Sequence, residues 1–138
     1  KAVPDEAVLV KCLLDTGILI ELEHKNKSVL EKLKGITKDF SLLSITLFNF
    51  AEFYYGYLSK ESEDKQEAEN FLDVFGQLTL TKASAKKYCE LYSKYSKQGH
   101  KPFDLLMAAI AIEDGMTIIT TDTDFERIAE VNKIILKQ

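Results

Sequence analysis

Short apolar runs alternate along the chain with longer stretches in which apolar positions recur every three to four residues. VLVKCLLD (residues 8–15), FSLLSI (40–45), QLTLT (77–81) and TIIT (117–120) are the runs, with KIIL (133–136) a weaker fifth. Runs of this length that carry little polar alternation predict strands buried on both faces. Between them, helical spacing covers residues 18–35, closed by Gly35, and residues 47–60, which Thr46 can cap. It returns over residues 61–75, 83–99 and 103–114, the fourth stretch ending at Gly99 and the last opened by Pro102 and stopped by Gly115. These start and stop residues follow the usual asymmetry of helix ends. Residues 47–60 are apolar on nearly every face, which predicts a mostly buried helix.

Strand and helix in alternation predict an α/β fold, a parallel sheet with helices on both faces. Ligands of such sheets bind at the carboxyl ends of the strands, near the point where the strand order reverses. The chain, Lys1–Gln138, is long enough for one domain with a sizeable core; residues 1–7, KAVPDEA, read as an altered start, an added remnant or an extension, and no role is assigned to them. Hydrophobic content of 46% and charged content of 29% are those of a globular protein in water. The longest apolar run, residues 105–112, is less than half of what a membrane helix needs. No basic-then-apolar segment opens the sequence, so the cytoplasm is the expected location. Cys12 and Cys89 form no disulfide framework and lack metal-site spacing, and Cys12 is expected to be a buried thiol. A net charge of −4 provides no electrostatic footprint for phosphate contacts alone, although a bound cation reverses the sign locally.

The acids carry the chemistry. FNFAEFYYGY (48–57) holds one charge, Glu52, in an apolar helix, and an unpartnered buried carboxylate costs several kcal/mol. Glu52 therefore needs water, a cation or a shared metal. Asp15 ends the first strand, Asp122 follows the fourth, and Asp104 lies in the first turn of an otherwise apolar helix. Taken singly, each has a structural reading: Asp15 as a turn cap, Asp104 as a first-turn acid, and Asp124 within a Thr123–Glu126 capping box. Taken together, they are four acids from separate segments that the predicted sheet can bring to one rim. Oxygen ligands without paired His or Cys favour a hard ion, Mg²⁺ or Mn²⁺.

LLDTGIL, NFAEFYYG, FDLLMAAIA and TTDTDF, in that order over nearly the whole chain, resemble the PIN domain, and most of all the VapC-type toxins of prokaryotic toxin–antitoxin pairs. The resemblance implies a three-layer α/β/α sandwich with a central parallel sheet and an acidic pocket. It also implies a metal-dependent endoribonuclease acting on RNA, a homodimer, and a VapB-type antitoxin as partner. By motif position Asp15, Glu52, Asp104 and Asp122 are the site acids and metal ligands, with Asp124 a less regular fifth. Thr16, Thr120 and Thr121 match hydroxyl residues that orient the acids or bound water. The last motif of the family often has Arg and Asn where this chain has Thr121 and Asp122, which adds negative charge here and removes a cation.

The expected reaction is phosphodiester hydrolysis with Asp15, Asp104 and Asp122 on the principal ion and Glu52 completing the shell or positioning the attacking water. In-line attack leaves a 5′-phosphate and a 3′-hydroxyl. A metal-free route through the ribose 2′-hydroxyl wants a His pair, and His24 and His100 lie in polar segments expected to be exposed. Lys86, Lys87, Lys94, Lys97 and Lys101 read mostly as a solvated helix face, and Tyr88, Leu91, Tyr92 and Tyr95 as core or a partner groove. Phe48, Phe50, Phe53 and Tyr54 read as core or dimer contacts. Arg127 is the single arginine, which leaves little capacity for bidentate phosphate recognition. Three other readings are a PIN nuclease of RNA processing, a PIN module that binds RNA or protein without cleaving, and a phosphotransferase or phosphatase. The third usually carries an Asp-x-Asp pair after the first strand, which DTGIL lacks.

Overall fold

A computed structural model describes residues 10–137. Expectations for residues 1–7 and for Val8 and the residue after it lie outside the described residues. Five strands form one all-parallel sheet: β1 (Cys12–Leu14), β2 (Leu43–Thr46), β3 (Gly76–Leu78), β4 (Thr117–Thr120) and β5 (Asn132–Ile135), in the order β3-β2-β1-β4-β5. The helices are α1 (Thr16–Glu23), α2 (Lys27–Ile36), α3 (Leu47–Tyr55), α4 (Ser62–Leu72), α5 (Lys82–Tyr95) and α6 (Pro102–Asp114).

Side chains of successive strand residues enter opposite layers, as the pleat requires. Cys12, Leu14 and Ile119 join Ile18, Leu33, Phe53 and Leu72 beneath the first four helices. Leu13 and Ile118 join Leu91, Leu105, Ala108 and Phe125 beneath α5 and α6. The two cores make the three layers expected from the sequence. Both faces of β1 are sealed, its three residues having no exposed surface, which is why the strand reads as an unbroken apolar run. Among the described residues no helix is long and apolar enough to cross a membrane.

Helix ends follow the residues that stop them. Pro102 stands at the start of α6, and Gly115 closes it at φ +66°. Four expectations are corrected. The helix expected over residues 18–35 breaks into α1 and α2 at His24, Lys25 and Asn26: Lys25 takes the left-handed φ of 60°, and the Asn26 side chain accepts from the Val29 amide to start α2. The helix expected over 47–60 stops at Tyr55. It also shows its apolar residues to solvent, with Leu47 45% and Tyr55 74% exposed, so it is not mostly buried. Thr81, expected to end the third strand, caps α5 in a capping box with Ser84. Finally, His100 is buried at 6% exposure, its ring set edge-on against Tyr95 with centroids 5.3 Å apart. Apolar packing there outweighs the polarity of GHK. Cys12 is buried as expected, and burial pushes its thiol pKa up.

Candidate active site

Strand order reverses beside β1: β2 and β3 extend to one side of it, β4 and β5 to the other. Asp15 is the first residue past β1 and Asp122 the second past β4, so the parallel pairing of these strands places both acids on one rim. The backbone then locks Asp15 in position. Its amide donates to the Ile119 carbonyl at 3.0 Å, its Oδ1 accepts from the Thr16 amide at 2.8 Å, and its Oδ2 accepts from the Thr120 hydroxyl at 2.7 Å. Capping α1 and lining the rim are thus the same conformation, and the two readings of Asp15 do not compete.

Thr120, fully buried, serves two acids at once. It donates to Asp15 and accepts from the Asp122 amide at 2.9 Å. Thr121 touches neither by hydrogen bond among the described residues; its Oγ1 lies beside Gly17, 3.5 Å from where a Cβ would stand. Asp122 Oδ1 accepts from the Asp124 amide at 2.8 Å, opening the 3-10 turn Thr123–Arg127. The cap of this turn is therefore Asp122, not the expected Thr123–Glu126 box. Asp124 is exposed, and its carboxylate is engaged by Arg127 at 3.2 Å.

Glu52 is not buried; it sits on the exposed side of α3, which corrects the expectation of an apolar surround. It is not unpartnered either. Thr16 Oγ1 donates to its Oε1 at 2.6 Å, and Thr16 in turn accepts from Asn49 Nδ2 at 3.0 Å. Asn49 is the residue that sequence reasoning passed over. Its place three residues after the cap Thr46 and three before Glu52, on one face of the helix, was the available signal.

Asp104 lies in the first turn of α6, half-buried. Its pKa is raised to about 6, first by burial and then by the charges of Asp15 and Asp122, with a smaller push from Glu52 and an opposing pull from Lys101. Asp15 is raised as well, by burial above all, against the hydrogen bonds from Thr120 and Thr16. The four carboxylates therefore interact across one rim, and Lys101 is the cation that acts against them among the described residues. The other lysines singled out pair elsewhere or face solvent: Lys87 with Glu90 and Lys94 with Glu130.

Among the described residues no three acid, imidazole or thiol side chains stand at the spacing of a closed metal shell. Mutual electrostatics reaches further than coordination, so both observations hold: the acids share a rim and repel across it. In donor type and in sign of charge the cluster fits a hard divalent cation. The all-oxygen set resembles that of Mg²⁺ or Mn²⁺, and a group at about 6 among like charges is what a cation would relieve.

Three surface hollows lie away from this rim. One of about 370 Å³ borders the amino ends of the strands near Lys11, Ser44 and Asp114, and one of about 420 Å³ lies between Glu23, Tyr57 and Asp64.

The structure is similar to that of a chain of VapBC2 from Rickettsia felis bound to a promoter DNA fragment: TM-score 0.76, 25% identity, 90% of this chain and 97% of that one. A toxin–antitoxin complex from Klebsiella pneumoniae gives TM-score 0.72 and 25% identity over 87% of this chain and 94% of that one. DNA-bound VapBC from Salmonella typhimurium gives TM-score 0.75 at 21% identity, covering 91% and 98%. No curated protein matches the chain. The PIN domain model matches residues 12–131, from the first strand to beyond the last of the rim acids, and the chain belongs to the PIN domain family.

Proposed function

We propose that this protein is a divalent-metal-dependent endoribonuclease and the toxin of a VapBC-type pair, held inactive by a VapB-type antitoxin. The observation that carries the reading is the shared rim, where burial first and then the charges of Asp15 and Asp122, with a smaller push from Glu52, raise Asp104 to about 6. Support for the toxin comes from the named VapBC neighbours, which cover this chain almost end to end. A homodimer working in the cytoplasm, with RNA as the substrate, completes the reading.

Asp15, Asp104 and Asp122 would hold the ion, with Glu52 closing the set on its open side; Asp124, tied to Arg127, stands outside it. Bound Mg²⁺ or Mn²⁺ supplies an activated water, charge neutralisation on the phosphate and relief at the leaving oxygen. The protein's part is orientation. Thr120 and the Thr16 amide fix both oxygens of Asp15, and the 3-10 turn fixes Asp122, so neither carboxylate has to be ordered when substrate arrives. Lys101, beside the acids, is the cation placed to meet a phosphate.

Purified protein incubated with structured RNA and Mn²⁺ should yield fragments with 5′-phosphate ends. Excess EDTA should abolish the products, and Asp15→Asn should lack them. Cleavage that continues unchanged in EDTA would defeat the metal mechanism, and equal cleavage by Asp15→Asn would defeat the site.

A further inference from the structure

We infer that Asn49 is a positioning residue for Glu52, acting through the hydroxyl of Thr16; the inference rests on the nuclease reading above. Asn49 is 3% exposed, and its amide is fixed end for end. Oδ1 accepts from the Thr46 amide at 3.1 Å and from the Thr46 hydroxyl at 2.7 Å. A backbone N–H can only donate, so the oxygen must face Thr46 and the nitrogen must face Thr16. Nδ2 donates to Thr16 Oγ1 at 3.0 Å, and a hydroxyl that has accepted there is free to send its own proton to Glu52 Oε1 at 2.6 Å. The donors run one way, from the start of α3 to the start of α1 and back to Glu52.

Capping alone does not explain this residue. The capping box of α5 has the same form, with Thr81 accepting from the Ser84 amide at 3.1 Å and Ser84 Oγ accepting from the Thr81 amide at 2.7 Å. Serine is thus sufficient at that position in this protein. Asn49 carries a further donor, buried, whose other neighbour is only the weak acceptor Met107 Sδ at 3.9 Å. That donor is spent on Thr16. Glu52 stands on an exposed helix face, and among the described residues the hydroxyl of Thr16 is the hydrogen-bond donor to its carboxylate.

The test uses Asn49→Ser, which keeps a cap and loses the donor to Thr16, with Thr16→Val and Thr16→Ser beside it. Mn²⁺ affinity is measured by calorimetry on the full chain, and kcat and KM on RNA. Groups that orient metal ligands typically change affinity or rate by about 10- to 100-fold. Asn49→Ser and Thr16→Val should each weaken Mn²⁺ binding and lower kcat in that range with KM little changed. Thr16→Ser should behave as wild type, and the Asn49→Ser/Thr16→Val double variant should lose no more than either single one. If Asn49→Ser fails to fold, Thr16→Val against Thr16→Ser decides. Wild-type Mn²⁺ binding with unaltered affinity and kcat in the variants would overturn the inference and leave the nuclease reading standing. Wild-type protein that neither binds Mn²⁺ nor cleaves RNA would overturn both.

Discussion

Asp104→Asn should make the metal-free protein more stable while removing its activity. Burial, and after it the neighbouring acids, raise Asp104 to about 6 against an ordinary 3.8, which corresponds to about 3 kcal/mol against the ionised form. Asp104 is only half-buried, so solvent screening reduces this to about 1–2 kcal/mol. The sign follows from proton binding. Between about pH 4 and pH 6 the folded state keeps a proton that the unfolded chain has released, so stability falls as pH rises through that window. Below it, the carboxyl is neutral in both states and contributes nothing. Asparagine is neutral throughout. Thermal unfolding in EDTA should therefore give nearly equal Tm values at about pH 4, and at neutral pH a Tm for Asp104→Asn higher by about 3–8 °C. Saturating Mn²⁺ should raise the wild-type Tm and narrow the gap, because a ligand bound only by the native state stabilises it. A variant no more stable than wild type at neutral pH, with the same slope against pH, would refute the claim that the acids repel across one rim.

Asp15→Asn keeps an acceptor oxygen for the Thr16 amide and turns an NH₂ toward Thr120 Oγ1, a hydroxyl that can also accept, so the fold should survive while cleavage falls by about 100-fold or more, measured on the same RNA. Thr120→Val leaves the Asp122 amide and Asp15 Oδ2 without partners in a buried position, and denaturant unfolding should show a loss of about 1–3 kcal/mol. Gly76→Ala would set a Cβ 2.6 Å from Ser44 Oγ on the neighbouring strand and should cost about 1–3 kcal/mol, of which Ser44→Ala should restore most.

The frame of the molecule was legible because burial on both faces leaves β1, β2 and β4 no charged positions. Asp15 and Asp122 were legible for the same reason: each is the first acid past a buried strand, at the end of the sheet where parallel topology collects ligands. The rest depended on contacts between distant segments. GHK looks polar, yet His100 packs on Tyr95, which lies five residues back on α5. FNFAEFYY looks buried all round, yet α3 lies against the sheet by only one side, and Glu52 takes the other. The break between α1 and α2 depends on a single left-handed residue, Lys25, which no periodicity marks. Asn49 stayed hidden because a polar residue three places into a helix reads as a cap; its second bond crosses 33 residues to Thr16.

Anomalous diffraction from crystals soaked in Mn²⁺ tests the central claim most directly. A peak within coordination distance of the Asp15 and Asp104 carboxylates, absent in Asp15→Asn, is the result that a cation-centred acidic rim requires. Wild-type crystals that show no peak there, or whose manganese sits at another surface, would contradict it.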